Sequence, residues 1–437
     1  MMIAMLSLTL FSIACAVFTG VTISNFISDK RLTSSVIDPG VFATLLFLML
    51  IGDFIALYSQ PISADSLFER GFASFSVDTR LYSFALFALQ LLSFAIGVVV
   101  ATVIPFKPMQ PRELTGEHTS VVLMYSVASP IFLCCAAFYL FKTISNPNAT
   151  YQSIFHELPL LDVGIAIMVP MCALFCSTSK CGRSMCLAVA PVALGMICLG
   201  KRGPVLALML ILAAGWINID WVIRKKYLVI GLVFLPLFLT TQRYIFREAD
   251  RHETIGAFLD SKGGVLNAFF GTSEISNAES FTAVAAREKA LRRPPQDLVL
   301  GVLLAPIPRS LCPLKPDGTS AYFTNAVSPH RWKTTKSEIL TTGFGDCLIH
   351  FGRYFSPCAI FVLGFLWTRL LGMTCGNKRI EVFWLYLCLW GLYVFVRCDT
   401  YNLARFLWLS VLLWLVFQVV CRIRMMEFND VRIIWRR

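Results

Sequence analysis

The chain has 437 residues, 57% of them hydrophobic and only 15% charged, with a mean hydropathy of +0.70. Soluble domains hold roughly 45–50% apolar and ~25% charged residues, and a water-soluble fold could not hide this much apolar surface without large exposed patches. A secreted disulfide scaffold, a cytosolic enzyme and a nucleic-acid-binding module are excluded, and the net charge of +12 is read as membrane topology and anionic lipid contact instead.

Taken in chain order, apolar runs predict eleven spans: 3–27, 40–60, 81–106, 121–143, 160–178, 185–200, 204–222, 227–242, 354–373, 381–397 and 403–421. Each run approaches the ~20 apolar residues that a membrane helix needs. The runs are continuous rather than alternating, which excludes a transmembrane β-barrel. The first run has neither a basic flank nor a clear small-residue cleavage site, so it reads as a retained helix rather than a signal peptide. The expected fold class is an all-α polytopic membrane protein of about eleven helices with one large loop. It divides into a membrane bundle over 1–242, a loop or cap over 243–353, three further spans over 354–421 and a basic tail over 422–437.

Basic residues cluster on alternate loops: Lys30 and Arg31, Lys107 and Arg112, Lys180 and Arg183, Arg224 to Lys226, Lys378 and Arg379, and the tail from Arg422 to Arg437. The positive-inside rule makes that side cytoplasmic, with the N-terminus outside and the C-terminus inside. The 243–353 segment then lies outside. Its composition mixes arginines, carboxylates and aromatic residues with turn signals at Arg292-Arg293-Pro294-Pro295 and Lys315-Pro316-Asp317-Gly318. A segment this long is functional when it is not disordered, and the pattern predicts a folded cap of short amphipathic helices. Ser276 to Leu291 reads as helical, with Ser276 and Glu279 in capping-box spacing. The fifteen cysteines mostly fall inside apolar runs as small hydrophobes, and no metal-ligand spacing occurs among them.

Three sets of residues are candidates for chemistry. Gly200-Lys201-Arg202-Gly203-Pro204 puts two cations at the outer face, where the charge rule disfavours them. A tight turn with snorkelling cations is the plain reading; flanking glycines that let a ligand approach are the functional one. Arg397 and Arg405 stand at the mouths of the last two spans. A guanidinium fork suits phosphate oxygens, whereas an Arg397–Asp399 ion pair would be merely structural. In the cap, Arg243 directly follows the eighth span, Arg309 and Lys315 are cations on stiff proline turns, and Glu274, Glu279, His330, Asp346 and His350 are the acid/base groups. Asp53 and Asp162, inside spans, must pair with a basic group or sit near an interface. No P-loop, HExxH, GxSxG or outer-loop DxD is present. Outer-face arginines without a metal motif suit an anionic, phosphate-bearing ligand.

At these residues the chain resembles the bacterial O-antigen and capsular repeat-unit polymerases of the Wzy type. Gly200 to Pro204 is similar to their GxRG element, and Ala305 to Pro316 resembles their segment of spaced prolines ending in a basic residue and proline. Ser320-Ala321-Tyr322-Phe323-Thr324, Asn277-Ala278-Glu279-Ser280-Phe281, Gly343 and the pair Arg397 and Arg405 are similar as well. The likeness covers about 200–405 in patches, while the N-terminal half matches in hydropathy alone. The resemblance implies a GT-C-like glycosyltransferase of the bacterial inner membrane with its site facing the periplasm. It implies transfer of a glycan from undecaprenyl pyrophosphate onto the non-reducing end of another carrier-linked repeat unit, without metal, cofactor or nucleic acid. Membrane lipids, a chain-length regulator and a flippase are the further partners it brings. In that scheme Arg202 and Arg405 hold pyrophosphate, Arg243, Arg309, Lys315, Tyr322 and Arg397 support the substrate, and Glu279 is the general base, with His330 and His350 as rivals. An O-antigen ligase would use similar groups. A polysaccharide flippase or secondary transporter would need repeat symmetry and mid-membrane charges, and a structural envelope subunit would leave the outward arginines unexplained.

Overall fold

The structure is a computed structural model. It describes residues 2–29, 38–59, 75–105, 125–126, 128–138, 141, 167–175, 191–192, 254–261, 277–307, 311–335, 338–374 and 381–434. Among the described residues every regular element is helical: α1 (Met2–Asp29), α2 (Pro39–Ser59), α3 (Val77–Val103), α4 (Ile255–Ser261), α5 (Ala278–Ala286), α6 (Glu288–Leu291), α7 (Pro295–Leu303), α8 (Thr319–Val327), α9 (Pro329–Thr335), α10 (Gly343–Thr374), α11 (Glu381–Arg397) and α12 (Thr400–Ile434). Three stretches, Ile3–Ile27, Val77–Val103 and Gly343–Gly372, are long and apolar enough to cross a bilayer, and Pro39–Ile55, Phe383–Arg397 and Thr400–Val416 are shorter apolar helices. These belong to a helical membrane protein. The spans expected at 204–222 and 227–242 lie outside the described residues, as does nearly all of 185–200.

Local chemistry sets the helix ends. The Ser76 hydroxyl accepts the Thr79 N–H at 3.1 Å, and Asp78 sits in the first turn of α3, where a carboxylate favours the positive end of the helix dipole. α3 stops at Ile104, whose extended backbone is what the following Pro105 requires. Its 27 residues make a rod of about 40 Å. Asp38 joins α1 to α2: its Oδ1 accepts the Ser24 hydroxyl at 2.6 Å and the Gly40 N–H at 2.7 Å.

α10 packs along α3, and α1 packs against both α2 and α3. The α3–α10 crossing is close because two glycines face each other's backbone. A Cβ at Gly97 would strike the Phe361 carbonyl, and one at Gly364 would lie 2.5 Å from the Phe94 carbonyl oxygen. Small residues at a crossing let membrane helices approach without hydrophobic drive from water. Above the crossing lies an aromatic core. The Phe54 ring stacks on Phe84 and Phe87 at centroid distances of 5.2 and 4.9 Å, and Phe281 from α5 meets Phe54 edge-on at 5.7 Å. Such pairs add ~0.5–1.5 kcal/mol each beyond area burial, and here they join the short helices to the membrane rods.

α10 begins at Gly343, well before the expected span start at 354. Gly352 has φ +68° and divides the helix in two, so residues 343–351 belong to the cap and 353–374 to the bundle. The expected helix over 276–291 is broken at Arg287 (φ −123°, ψ 29°) into α5 and α6.

Candidate functional site

Buried carboxylates meet helix N-termini where the short helices join the long ones. Asp53 Oδ2, in α2, accepts the backbone N–H of Asn277 and of Ala278, both at 2.7 Å. This cap comes from a distant part of the chain: the N-cap residue is Asn277, and its own side chain makes no capping bond, while Ser276 of the expected capping box lies outside the described residues. Among the described residues, the Asp53 carboxylate inside a span is answered by backbone donors and the α5 dipole. At the other end, Asp399 Oδ2 accepts the Ser320 N–H of α8 at 2.6 Å, and its Oδ1 accepts Asn402 N at 2.9 Å and Asn402 Nδ2 at 2.8 Å. Asp346 Oδ2 accepts the Thr400 N–H of α12 at 2.8 Å. Asp346 and Asp399 are both fully buried. Burial, and then the neighbouring Asp346, push the Asp399 carboxyl up to about 6.

The Asp53 contact aims the first turn of α5, which carries Glu279. Glu279 is half-buried, its Oε1 is closed to solvent and has no hydrogen-bond partner among the described residues, and burial raises its carboxyl above the usual carboxylate range. A desolvated carboxylate with a spare oxygen is suited to taking a proton. His350 is occupied by contrast. Its Nδ1 lies 3.2 Å from the Pro294 carbonyl, and its Nε2 lies 3.1 Å from Thr319 Oγ1 and 3.3 Å from Asp346 Oδ1. With both ring nitrogens engaged and the residue 1% exposed, it clasps α8, α10 and the Pro294 turn together. His330 is exposed on α9.

Between α10 and the start of α7 runs a groove of about 550 Å³. Its apolar wall includes Leu298, Phe351, Phe355, Ala359 and Val362, and its polar lining comes from Arg292, His350 and Thr400. Arg292 is exposed and stands at the groove's rim. Gly352 lets it stand there: a Cβ at that position would lie 2.8 Å from Glu288 Oε1 and 3.2 Å from an Arg292 terminal nitrogen.

The other residues singled out in the sequence are dispersed. Lys315 is buried, and its Nζ donates to the carbonyls of Ala305 at 3.0 Å and Ile307 at 2.7 Å, with the Tyr401 ring 5.2 Å away. Tyr322 lies under the Arg293 guanidinium at 4.8 Å, and Arg293 is itself paired with Asp297 at 2.9 Å. Arg397 donates to the Tyr393 hydroxyl at 2.6 Å. Arg405 is exposed in the second turn of α12. Arg202, Arg243, Arg309, Glu274 and Asp162 lie outside the described residues. Two groups escape the sequence reading. Arg292 reads there only as part of a turn, although a cation pair before two prolines marks a stiff, presented guanidinium. Glu338 lies beside Asn402 and Arg405; the protein packed around it and the nearby Asp399 push its carboxyl up to about 7, although part of its side chain stays exposed.

The fold and this cap define a class, a helical membrane protein whose cap and bundle are joined by carboxylates at helix N-termini. Comparison with protein-family models, with curated proteins and with solved structures finds no match to the chain.

Proposed function

We propose that the protein is a membrane glycosyltransferase that polymerises lipid-linked oligosaccharide repeat units. In this reading it is an eleven-span, GT-C-like bundle of the bacterial inner membrane, N-terminus out and C-terminus in, with the cap in the periplasm. The observation that carries the reading is Glu279: the acid within the family-like Asn277 to Phe281 motif is also the half-buried carboxylate with an unpartnered oxygen.

The donor is a glycan on undecaprenyl pyrophosphate and the acceptor a sugar hydroxyl of a second carrier-linked unit. Glu279 takes the hydroxyl proton as that oxygen attacks the anomeric carbon. The bond from that carbon to the phosphate oxygen breaks, a glycosidic bond forms, and undecaprenyl pyrophosphate leaves. Fixed guanidinium groups stabilise the leaving charge in a way that water cannot match; Arg202 and Arg405 take that role, with Arg243, Arg309 and Arg397 in support. The groove beside α10, apolar along most of its wall with Arg292 at its rim, suits the isoprenoid chain of the carrier. Lys315 and Tyr322 act at one remove by shaping the cap, because both are engaged within it. A chain-length regulator and a flippase are the partners such a polymerase works beside.

The test is a banding gel of lipopolysaccharide or capsule from a strain lacking the gene, complemented by the wild type, by Glu279→Gln or by Arg202→Ala. Collapse of the ladder to a single-unit band in the deletion strain and in both variants is expected. Loss of all capped core would instead indicate a ligase or flippase, and an unchanged ladder would end the polymerase reading.

A further inference from the structure

The segment 298–314 carries a single charged residue, Arg309, in seventeen positions. Aliphatic side chains on its described parts point outward: Val299, Leu300, Leu303, Ile307, Leu311 and Leu314 are all exposed, Leu311 at 77% and Leu314 at 95%. In a cap surrounded by water this would be an apolar patch of the kind that soluble surfaces avoid.

Two further observations bear on what covers it. The backbone carbonyls at the end of α7 are answered by side chains: Trp408 Nε1 donates to Val302 O at 3.0 Å, and Lys315 Nζ donates to Ala305 O and Ile307 O. The Lys315 ammonium is buried and given over to two carbonyls that solvent would satisfy freely at a water-facing surface. It is needed where water is scarce, since an unmet carbonyl in hydrocarbon costs several kcal/mol. The second observation is continuity. Trp408 belongs to the exposed row Trp408, Leu412, Leu415, Val416 and Val419 along α12, one helical face at spacings of three and four. The bond from Trp408 to Val302 fastens α7 beside that row, so the aliphatics from Val299 to Ile307 and at Leu311 and Leu314 extend it.

We infer that the stretches Val299–Ile307 and Leu311–Leu314 form a bilayer-embedded foot of the cap, its occupied surface being the hydrocarbon of the leaflet into which α12 runs. Trp408 stands at the depth where an indole meets the headgroup region, and Lys315 seals the carbonyls of the foot from within. The cap is then held at the membrane on a second, apolar contact in addition to the carboxylate clasps. This inference is independent of the polymerase reading.

The test places p-benzoylphenylalanine singly at Leu311, Leu314, Leu412 and Asn325 in the full chain, irradiates native membranes and weighs the adducts. Leu412 on α12 is the lipid-facing reference and Asn325, exposed on α8, the cap reference. Phospholipid adducts at Leu311 and Leu314 as at Leu412, with none at Asn325, are expected. Adducts to protein at Leu311 and Leu314, whether a second copy or another chain, would overturn the inference in favour of a protein interface. No lipid adduct at either position while Leu412 gives one would overturn it in favour of a solvated cap. A Leu314→Lys variant adds a second reading: the lipid adduct at Leu311 persists if the foot is embedded, because a lysine can snorkel, and its loss would count against the embedded foot.

Discussion

The Asp53 carboxylate accepts the Ala278 backbone N–H at 2.7 Å, across 225 residues of chain. One membrane-helix side chain therefore decides where α5 starts and how Glu279 is presented. Asp53→Ala removes an N-cap, worth ~0.5–2 kcal/mol at ordinary sites, and leaves two backbone donors without their acceptor. Amide exchange of 278–286 in the purified protein should rise by about tenfold or more, since 1.4 kcal/mol is tenfold in an opening equilibrium. Asp53→Asn retains an acceptor oxygen and should recover most of the protection. Equal exchange in wild type and Asp53→Ala would mean that the cap is held by its packing alone.

Glu279→Gln separates chemistry from folding. The amide fills the same space and Glu279 Oε1 has no partner to lose. Because burial raises this carboxyl, the folded state binds a proton that the unfolded chain has already released, and stability falls as pH rises through that window. Removing the charge should leave thermal stability at pH 7.5 equal to or above that of the wild type. Polymerisation should fall by about 10²–10⁴-fold, the usual contribution of a positioned base. In the wild type the rate should decline on acidification at a pH above the ordinary carboxylate range. A variant that loses stability and activity together would make Glu279 a structural residue.

The long apolar runs are legible in the sequence because twenty unbroken hydrophobic residues leave little choice of structure, and α1, α2, α3, α11 and the start of α12 coincide with them. The start of α10 is not. The apolar run puts the start of the span only at 354, and Asp346 and His350 read as polar cap chemistry; the helix instead begins at Gly343, turns a corner at φ +68° at Gly352 and buries both side chains against each other. The cap of α5 is equally hidden, since nothing local to Ser276 or Asn277 points to an aspartate two hundred residues earlier. Lys315 sits between prolines like a ligand-bearing turn, yet the two carbonyls it serves come from a neighbouring turn that only the folded chain supplies. Glu279 stands out in the sequence only through the family-like Asn277 to Phe281 motif; its partial burial depends on how α5 packs, which no local pattern dictates.

Asp399 makes stability depend on pH. Its carboxyl is pushed from an ordinary 3.8 to about 6 by burial and by Asp346. Between those values the folded state holds a proton that the unfolded chain has lost, so stability falls as pH rises from about 4 to about 6 and then levels. The protein should melt at a higher temperature at pH 5 than at pH 7.5, with at most a few kcal/mol involved at 1.36 kcal/mol per unit. Asp399→Asn keeps an oxygen for the Ser320 N–H and should reduce that dependence, leaving the part that the raised Glu279 and Glu338 carboxyls contribute in the same direction. Melting curves of the detergent-solubilised protein at the two pH values check it, and an unchanged difference in the variant would shift the cause to another group.

The α3–α10 crossing offers a test that bears on folding alone. A methyl at Gly97 would strike the Phe361 carbonyl, and one at Gly364 would press on the Phe94 backbone. Neither neighbour can rotate away, because each is helix backbone, so the helices must separate. Gly97→Ala and Gly364→Ala should each destabilise by ~1–3 kcal/mol, the usual cost of overpacking, and the pair should be less than additive because one separation relieves both clashes. Gly52, on α2, has no neighbour among the described residues within 4 Å of where a Cβ would stand, and Gly52→Ala should be neutral or stabilising by up to about 1 kcal/mol, through helix propensity. Thermal unfolding of the three variants in one detergent decides the matter. If Gly97→Ala behaves like Gly52→Ala, the two helices do not meet at these glycines.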